Sequence, residues 1–310
     1  MLFDLIDETF DKTIKTDLQN NYLNQVQVSK RWACYSDYCF DDPQKPNDVV
    51  CFTLIPYFDD FHQLSDKIQD LANVDIKNTR KVRKEFTEFL KTYPLINFSF
   101  ILNDKKKIFG NNHEERKKTL KKEYTDLKKK YKEWLNNQPD QKEYYSQIIK
   151  KIDCVLLSIE RNKKIKQIIG MTLVTALGAY VSNQVVKKLD LDIFGWFSDR
   201  DSINEVCDNF SIQLFHTYLH NFSDGKQFKF LASPAGSTAN AFYEQLVRIP
   251  DYISGTISDY DRKLNQISND KFDAMLTNYM AGNTHNNFVL KLSTDVNGLY
   301  CSRILIDLKE

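Results

Sequence analysis

Apolar residues at Leu2, Leu5, Ile6, Phe10 and Ile14 recur at close to helical spacing and predict a helix within residues 1–25. Two extended runs follow, 26–40 and 49–58, rich in β-branched and aromatic side chains and separated by the turn formers DDPQKPND. That is the pattern of an antiparallel hairpin. Helical spacing returns over 61–71 and 78–91, the second with Val82, Phe86, Phe89 and Leu90 on one face. Tyr93-Pro94 ends it, because a residue before proline is pushed out of the helical region. The run LINFSFIL at 95–102 predicts a third strand, and from His113 to about Leu189 the pattern is helical, broken by the turn NNQPD at 136–140. Beyond it the chain predicts a strand at 191–197, a helix at 202–222, a strand at 226–232 and helices at 238–247 and 250–259. A hairpin of 287–292 and 299–307, turning at Asp295-Val296-Asn297-Gly298, closes the pattern.

These elements predict an α/β protein with a mixed sheet flanked by helices. An N-terminal helix (1–28) precedes a first core segment (29–103), a helical insertion (104–190), a second core segment (191–265) and a C-terminal helix and β-hairpin (266–310).

Composition changes this picture little: 42% hydrophobic and 27% charged residues suit a globular chain of 310 residues. The acidic start MLFDLIDETFDK lacks the basic and apolar regions of a secretory signal, so a cytoplasmic location is expected. The longest apolar stretch, 168–181, is too short for a bilayer and reads as a buried core helix, so no membrane partner is expected. Six cysteines (34, 39, 51, 154, 207, 301) form no C-x-x-C pair and read as reduced thiols. Charge is uneven. Residues 104–166 hold 19 Lys and Arg against 10 Asp and Glu, so a basic segment adjoins an acidic body in a chain of net charge +1. Such a face attracts polyanions by counterion release, though a solvated lysine-rich hairpin has the same composition.

Among nine glycines there is no G-x-x-x-x-G-K-[ST], no G-x-G-x-x-G and no G-x-S-x-G, which excludes the common phosphate cradles and the common serine-hydrolase elbow. His216 and His220 share a helix face with no carboxylate or cysteine ligand implied beside them. The acids are more informative. Asp37 lies near the end of the first strand, Asp199 follows the strand LDIFGWFS, and Asp251 opens the predicted helix at 250–259. Strand ends are where an α/β fold gathers residues distant in sequence. Singly, each is equally at home as a turn or cap residue, Asp251 after Pro250 especially.

Three short motifs carry a resemblance: Tyr35-Ser36-Asp37-Tyr38, Phe197-Ser198-Asp199-Arg200, and Ile249-Pro250-Asp251-Tyr252-Ile253-Ser254-Gly255. In order and spacing, over residues 29–262, they resemble the DUF3800 group of the RNase H-like superfamily. That group's usual Asp-Glu-Ser is Ser-Asp-Tyr here, which removes an adjacent glutamate. The resemblance implies an RNase H-like sheet and a metal-dependent nuclease, with Mg²⁺ or Mn²⁺ held by Asp37 as bridging ligand and by Asp199 and Asp251 as flanking ones. Two such ions about 3.5–4 Å apart stabilise both oxygens of a phosphodiester displacement. Arg200, Arg80 and Lys77 are the expected phosphate contacts, Asp201 a spare ligand, Gly255 a point of close approach, and Tyr35, Tyr38 and Tyr252 candidate base-stacking rings. The expected partner is DNA or RNA, its backbone gripped by the lysine-rich helices. The rival expectation is a core without metals that binds nucleic acid or a protein partner through those helices.

Overall fold

The computed structural model describes residues 2–24, 29–58, 60–199, 201–234, 243–296 and 298–307. Helix α1 (Leu2–Thr13) leads to strands β1 (Arg31–Cys39) and β2 (Val49–Pro56), helices α2 (Phe61–Leu71) and α3 (Lys84–Thr92), and strand β3 (Ile96–Ile101). Helices α4 (His113–Asn137), α5 (Lys142–Glu160) and α6 (Ile165–Val186) follow. The chain continues through β4 (Ile193–Ser198), α7 (Phe210–Phe222), β5 (Lys229–Ala232), α8 (Glu244–Asp259) and α9 (Asp270–Met275) to β6 (Asn287–Asp295) and β7 (Gly298–Ile304).

The strands form one mixed sheet in the order β5-β4-β1-β2-β3-β6-β7. Strands β1, β2 and β3 are an antiparallel meander; β4 adds in parallel to β1, β5 to β4, and β6 to β3, with β7 antiparallel at the far edge. The C-terminal hairpin therefore extends the main sheet. All eight residues of β2 are buried, as expected of a central strand covered on both faces.

Alternation along the strands feeds two cores. On one face Trp32, Cys34, Phe52, Phe98 and Trp196 pack with α1, α6 and α7, and α4 and α5 lie outside that layer. On the other, Ala33, Tyr35, Cys51 and Phe197 pack with α2, α3, α8 and α9. Helix α6 is the centre of the first layer: apolar all round, as a buried helix must be, and 94% buried over its most apolar window. At 22 residues it runs longer than the apolar stretch the pattern marks, and by length and composition it would pass for a membrane span. Here it lies between the sheet and α7.

Four boundaries depart from the pattern. Helix α3 starts at Lys84 because the carbonyls of Ile76, Lys77 and Thr79 are taken by the ammonium of Lys271. A second break, at residues 161–164, separates α5 from α6, with Asn162 and Lys164 in the left-handed region. Helix α7 starts at Phe210, after Cys207, Asp208 and Asn209 in the left-handed region, although Asp201 Oδ1 accepts from the N–H of Ile203 and Asn204 as a helix N-cap does. The helices expected at 238–247 and 250–259 are one helix from Glu244, with Pro250 inside it; residues 238–242 lie outside the described residues, as do 26–28 of the first expected strand.

Gly178 sets the closeness of α6 to its neighbours. A Cβ there would stand 2.8 Å from Phe52 Cε1 and 2.9 Å from Phe215 Cε2, one ring from β2 and one from α7. Gly178→Ala therefore destabilises the fold by about 1–3 kcal/mol through overpacking, outweighing alanine's gain of about 1 kcal/mol in helix propensity. Urea denaturation measures this, and a variant as stable as wild type would contradict the packing.

Candidate active site

Strand β4 ends beside Ser36, three residues before β1 does. Ser36 pairs with Ser198, and the N–H of Asp199 donates to the Ser36 carbonyl at 3.1 Å, so Asp37 and Asp199 stand on adjacent backbones, whose usual spacing is about 4.8 Å. Alternation puts Asp37 on the face of Tyr35, whose ring stacks on Phe197 at 5.6 Å. Helix α8 crosses this face. From it Ser254 Oγ donates to Asp37 Oδ2, and three residues earlier Asp251 Oδ2 accepts the N–H of Ile76 at 2.7 Å. The three acids line one cleft of about 790 Å³ with three more, Asp42, Asp75 and Glu244, which sequence reasoning missed.

Asp251 lies well inside α8, beyond the first turn where a helix dipole would explain it. Its position depends on the segment between α2 and α3. Gly255 allows that approach: a Cβ there would meet Ile76 Cγ2 at 2.7 Å. The close neighbour of Gly255 is thus the chain's own 75–77 segment. Lys271, 9% exposed, fixes the same segment by donating to Ile76 O at 2.6 Å and to Lys77 O and Thr79 O at 3.1 Å each. Asp199 has its own support, since Asn204 Nδ2 donates to its carbonyl at 2.6 Å and to Ser198 Oγ at 3.1 Å.

Electrostatically the floor of the cleft is unfavourable as it stands. Burial pushes the Asp37 carboxyl well above the usual range, and the charges of Asp251 and Asp199 push it further, against the hydrogen bonds from Ser254 and the Tyr38 N–H. Burial also raises Asp251, to about 7, with Asp75 and Asp199 adding to the shift and the Ile76 N–H and Lys77 opposing it. Around this floor stand cations: Lys77, 3.7 Å from Asp75; Arg248, donating to Ala72 O at 2.8 Å; and Lys45, ion-paired with Asp259 and 4.2 Å from the Phe272 ring centroid.

The donor set suits a hard divalent cation in chemistry, being carboxylate oxygens held close against mutual repulsion. Among the described residues no three Asp, Glu, His or Cys side chains come together as the ligands of one ion. Mg²⁺ sites commonly use one or two carboxylates and complete their shell with water and substrate phosphate, so a site of shared, incomplete shells fits these acids where a closed protein cage does not.

The other expected residues divide. Lys77 lines the cleft; Arg80 is exposed and outside its lining; Arg200 lies outside the described residues. Asp201 is outside the cleft lining, and its Oδ1 accepts from Tyr38 Oη and from two backbone N–H groups. Tyr35 and Tyr252 are buried, with hydroxyls bonded to Tyr57 and to Val74 O, and so offer no ring for stacking; Tyr38 stacks on Phe40. His216 stacks on Phe230 at 4.6 Å beside a hollow of about 340 Å³ that no carboxylate lines, and a role in the core explains it. The basic helices α4 and α5 pack on the sheet face opposite the cleft, so they do not wall it. Cys154 and Cys207 form a disulfide, correcting the reading of six free thiols; 53 positions apart, they share no local motif. Of the unexpected lining residues, Ser254 stands inside the third motif, whereas Asp75, Arg248 and Lys271 carry no sequence signal.

Asp251 generates a pH prediction. Its folded pKa of about 7 exceeds the ordinary value of 3.8, so the folded chain binds more protons than the unfolded one between these values and this group's contribution falls as pH rises through them. In chelator, Asp251→Asn is expected to gain stability relative to wild type from pH 5 to pH 8, measured as the difference in Tm; a pH-independent difference would refute the assignment. Compared with family models, curated proteins and solved structures, the chain matches none, so the reading of this cleft rests on its own residues.

Proposed function

We propose that this chain is a metal-dependent nuclease of RNase H-like architecture, hydrolysing phosphodiesters of DNA or RNA in the cleft at the ends of β1 and β4. The observation that carries this reading is the meeting of Asp37, Asp199 and Asp251, from two strands and a helix, in one cleft rimmed by Lys45, Lys77 and Arg248. The strand order β3-β2-β1-β4-β5, with β2 antiparallel to the other four, supports the RNase H-like assignment.

Mg²⁺ or Mn²⁺, when bound, would activate water and neutralise charge on the attacking and departing oxygens. Asp37, deepest of the three at 8% exposed, would be the central ligand of the metal, with Asp199 and Asp251 beside it. Ser254 holds Asp37 in place by its hydrogen bond, and Ile76 holds Asp251. The rim cations meet the phosphates flanking the scissile one, where a positive charge lowers the cost of bringing a polyanion to an acidic floor.

A second reading, a nucleic-acid-binding protein without catalysis, is favoured by one feature. Lys118, Lys122, Lys129 and Lys132 lie exposed on one stripe of α4, roughly 21 Å long, with no ion-pair partner among the described residues and on the face away from the cleft. The test uses labelled single- and double-stranded DNA and RNA with Mn²⁺, Mg²⁺ or EDTA. Metal-dependent cleavage is expected, with Asp37→Ala and Asp199→Ala each slowing it about 100-fold or more, the equivalent of several kcal/mol of lost charge stabilisation. Salt-sensitive binding without cleavage, abolished by Lys118→Glu with Lys122→Glu, would establish the second reading instead.

A further inference from the structure

The segment between β4 and α7, residues 199–209, has a candidate ligand at one end and a disulfide near the other. Asp199 is tied at its N–H to Ser36 and at its carbonyl to Asn204. Asn204 in turn reaches Tyr38 Oη at 3.2 Å, and its own carbonyl accepts from Ser211 Oγ at 3.2 Å. At the other end Cys207 is bonded to Cys154 of α5, and Lys151, one turn earlier on that helix, donates to Asp208 O at 2.6 Å.

Two observations show that this is a held conformation. Cys207, Asp208 and Asn209 have φ of 48°, 60° and 55°, three consecutive non-glycine residues in a region such side chains rarely occupy, which persists only where surrounding bonds over-determine it. The hydrophobic pattern of 202–222 is helical throughout, yet α7 begins only at Phe210. The chain between them is therefore kept out of the helix that its own sequence favours. One of the bonds that hold it is covalent, and Cys154 is exposed to reagents.

We propose that the Cys154–Cys207 disulfide is a positioning bond for Asp199, and that its reduction lets α7 extend toward residue 202 and withdraws Asp199 from the cleft. A dithiol supplies the two electrons and two protons: one of its thiolates attacks a sulfur of the bridge, its second sulfur resolves the mixed disulfide, and the products are two cysteine thiols and the oxidised dithiol. Lys151 and the Asp201 turn remain after reduction, but neither fixes Cys207 itself. The effect on cation binding rests on the nuclease reading; the effect on the segment does not.

The test compares the full chain purified in air, the same protein reduced with dithiothreitol and desalted without oxygen, and the double variant Cys154→Ser with Cys207→Ser. Alkylation and mass spectrometry count free thiols, hydrogen exchange reads residues 203–209, and calorimetry titrates Mn²⁺. Expected are protected thiols at 154 and 207 in air, slower exchange over 203–209 in the reduced protein and the double variant, and Mn²⁺ binding at least about 10-fold weaker in both, as when a metal site loses its outer support. Should the double variant not fold, the reduced wild type decides alone. Free thiols at both positions in air, unchanged exchange over 203–209, or changed exchange with equal Mn²⁺ affinity would each overturn the proposal. Slower exchange with Mn²⁺ bound by neither form would sustain the strap and refute the metal site.

Discussion

Parallel pairing of β1 with β4 brings together strands separated by more than 150 positions, and the candidate site depends on its register. A shift of one residue would turn Asp199 to the opposite face, where Trp196 and the α7 layer lie, and leave Asp37 facing α8 without its neighbour. Register here is held by side chains of both faces: Tyr35 on Phe197 toward α8, and Trp196 Nε1 donating to Ser36 Oγ toward α7. Helices α4, α5 and α6, which intervene between β3 and β4, must all be accommodated on one side of the sheet for that register to close.

The acids themselves work against folding. Burial of Asp37 and Asp251 raises the affinity of those two carboxyls for protons and costs stability whenever they are charged, so the surroundings must hold them by other means. Those means are the buried Lys271 with its three carbonyls, the missing side chain of Gly255, and the turn of Asp201 and Asn204. Each acts on the backbone beside an acid, while the hydrogen bonds to the Asp37 and Asp251 carboxylates come from neutral donors, Ser254 Oγ and the Ile76 N–H. A fold arranged for stability alone would have placed a cation among them. The arrangement suits a site whose counter-charge arrives from solution.

Much of the architecture was legible in the chain because it follows from local period. The meander, helix α2 at 61–71 and the closing hairpin were all marked by alternation or helical spacing bounded by turn formers. Asp37 and Asp199 were legible as residues near strand ends, whereas Asp251, read as opening a helix, lies in the middle of α8. What was hidden is non-local. Lys271 delays α3 from almost 190 positions away, and Cys154 meets Cys207 across 53. The side of the sheet on which the basic helices settle was equally hidden, because composition records a charge and not the face that carries it.

Helix α6 has a consequence for the newborn chain. Synthesis delivers β1 to β3 first and then this 22-residue apolar helix, which can cover one face of the meander at once. Its other flank rests on α7, and the edge of β1 awaits β4; neither has yet been made. For that interval the nascent protein carries a bare greasy surface beside an open strand edge, the combination most prone to stick to other chains. A pause in translation between residues 186 and 222 would lengthen the exposure.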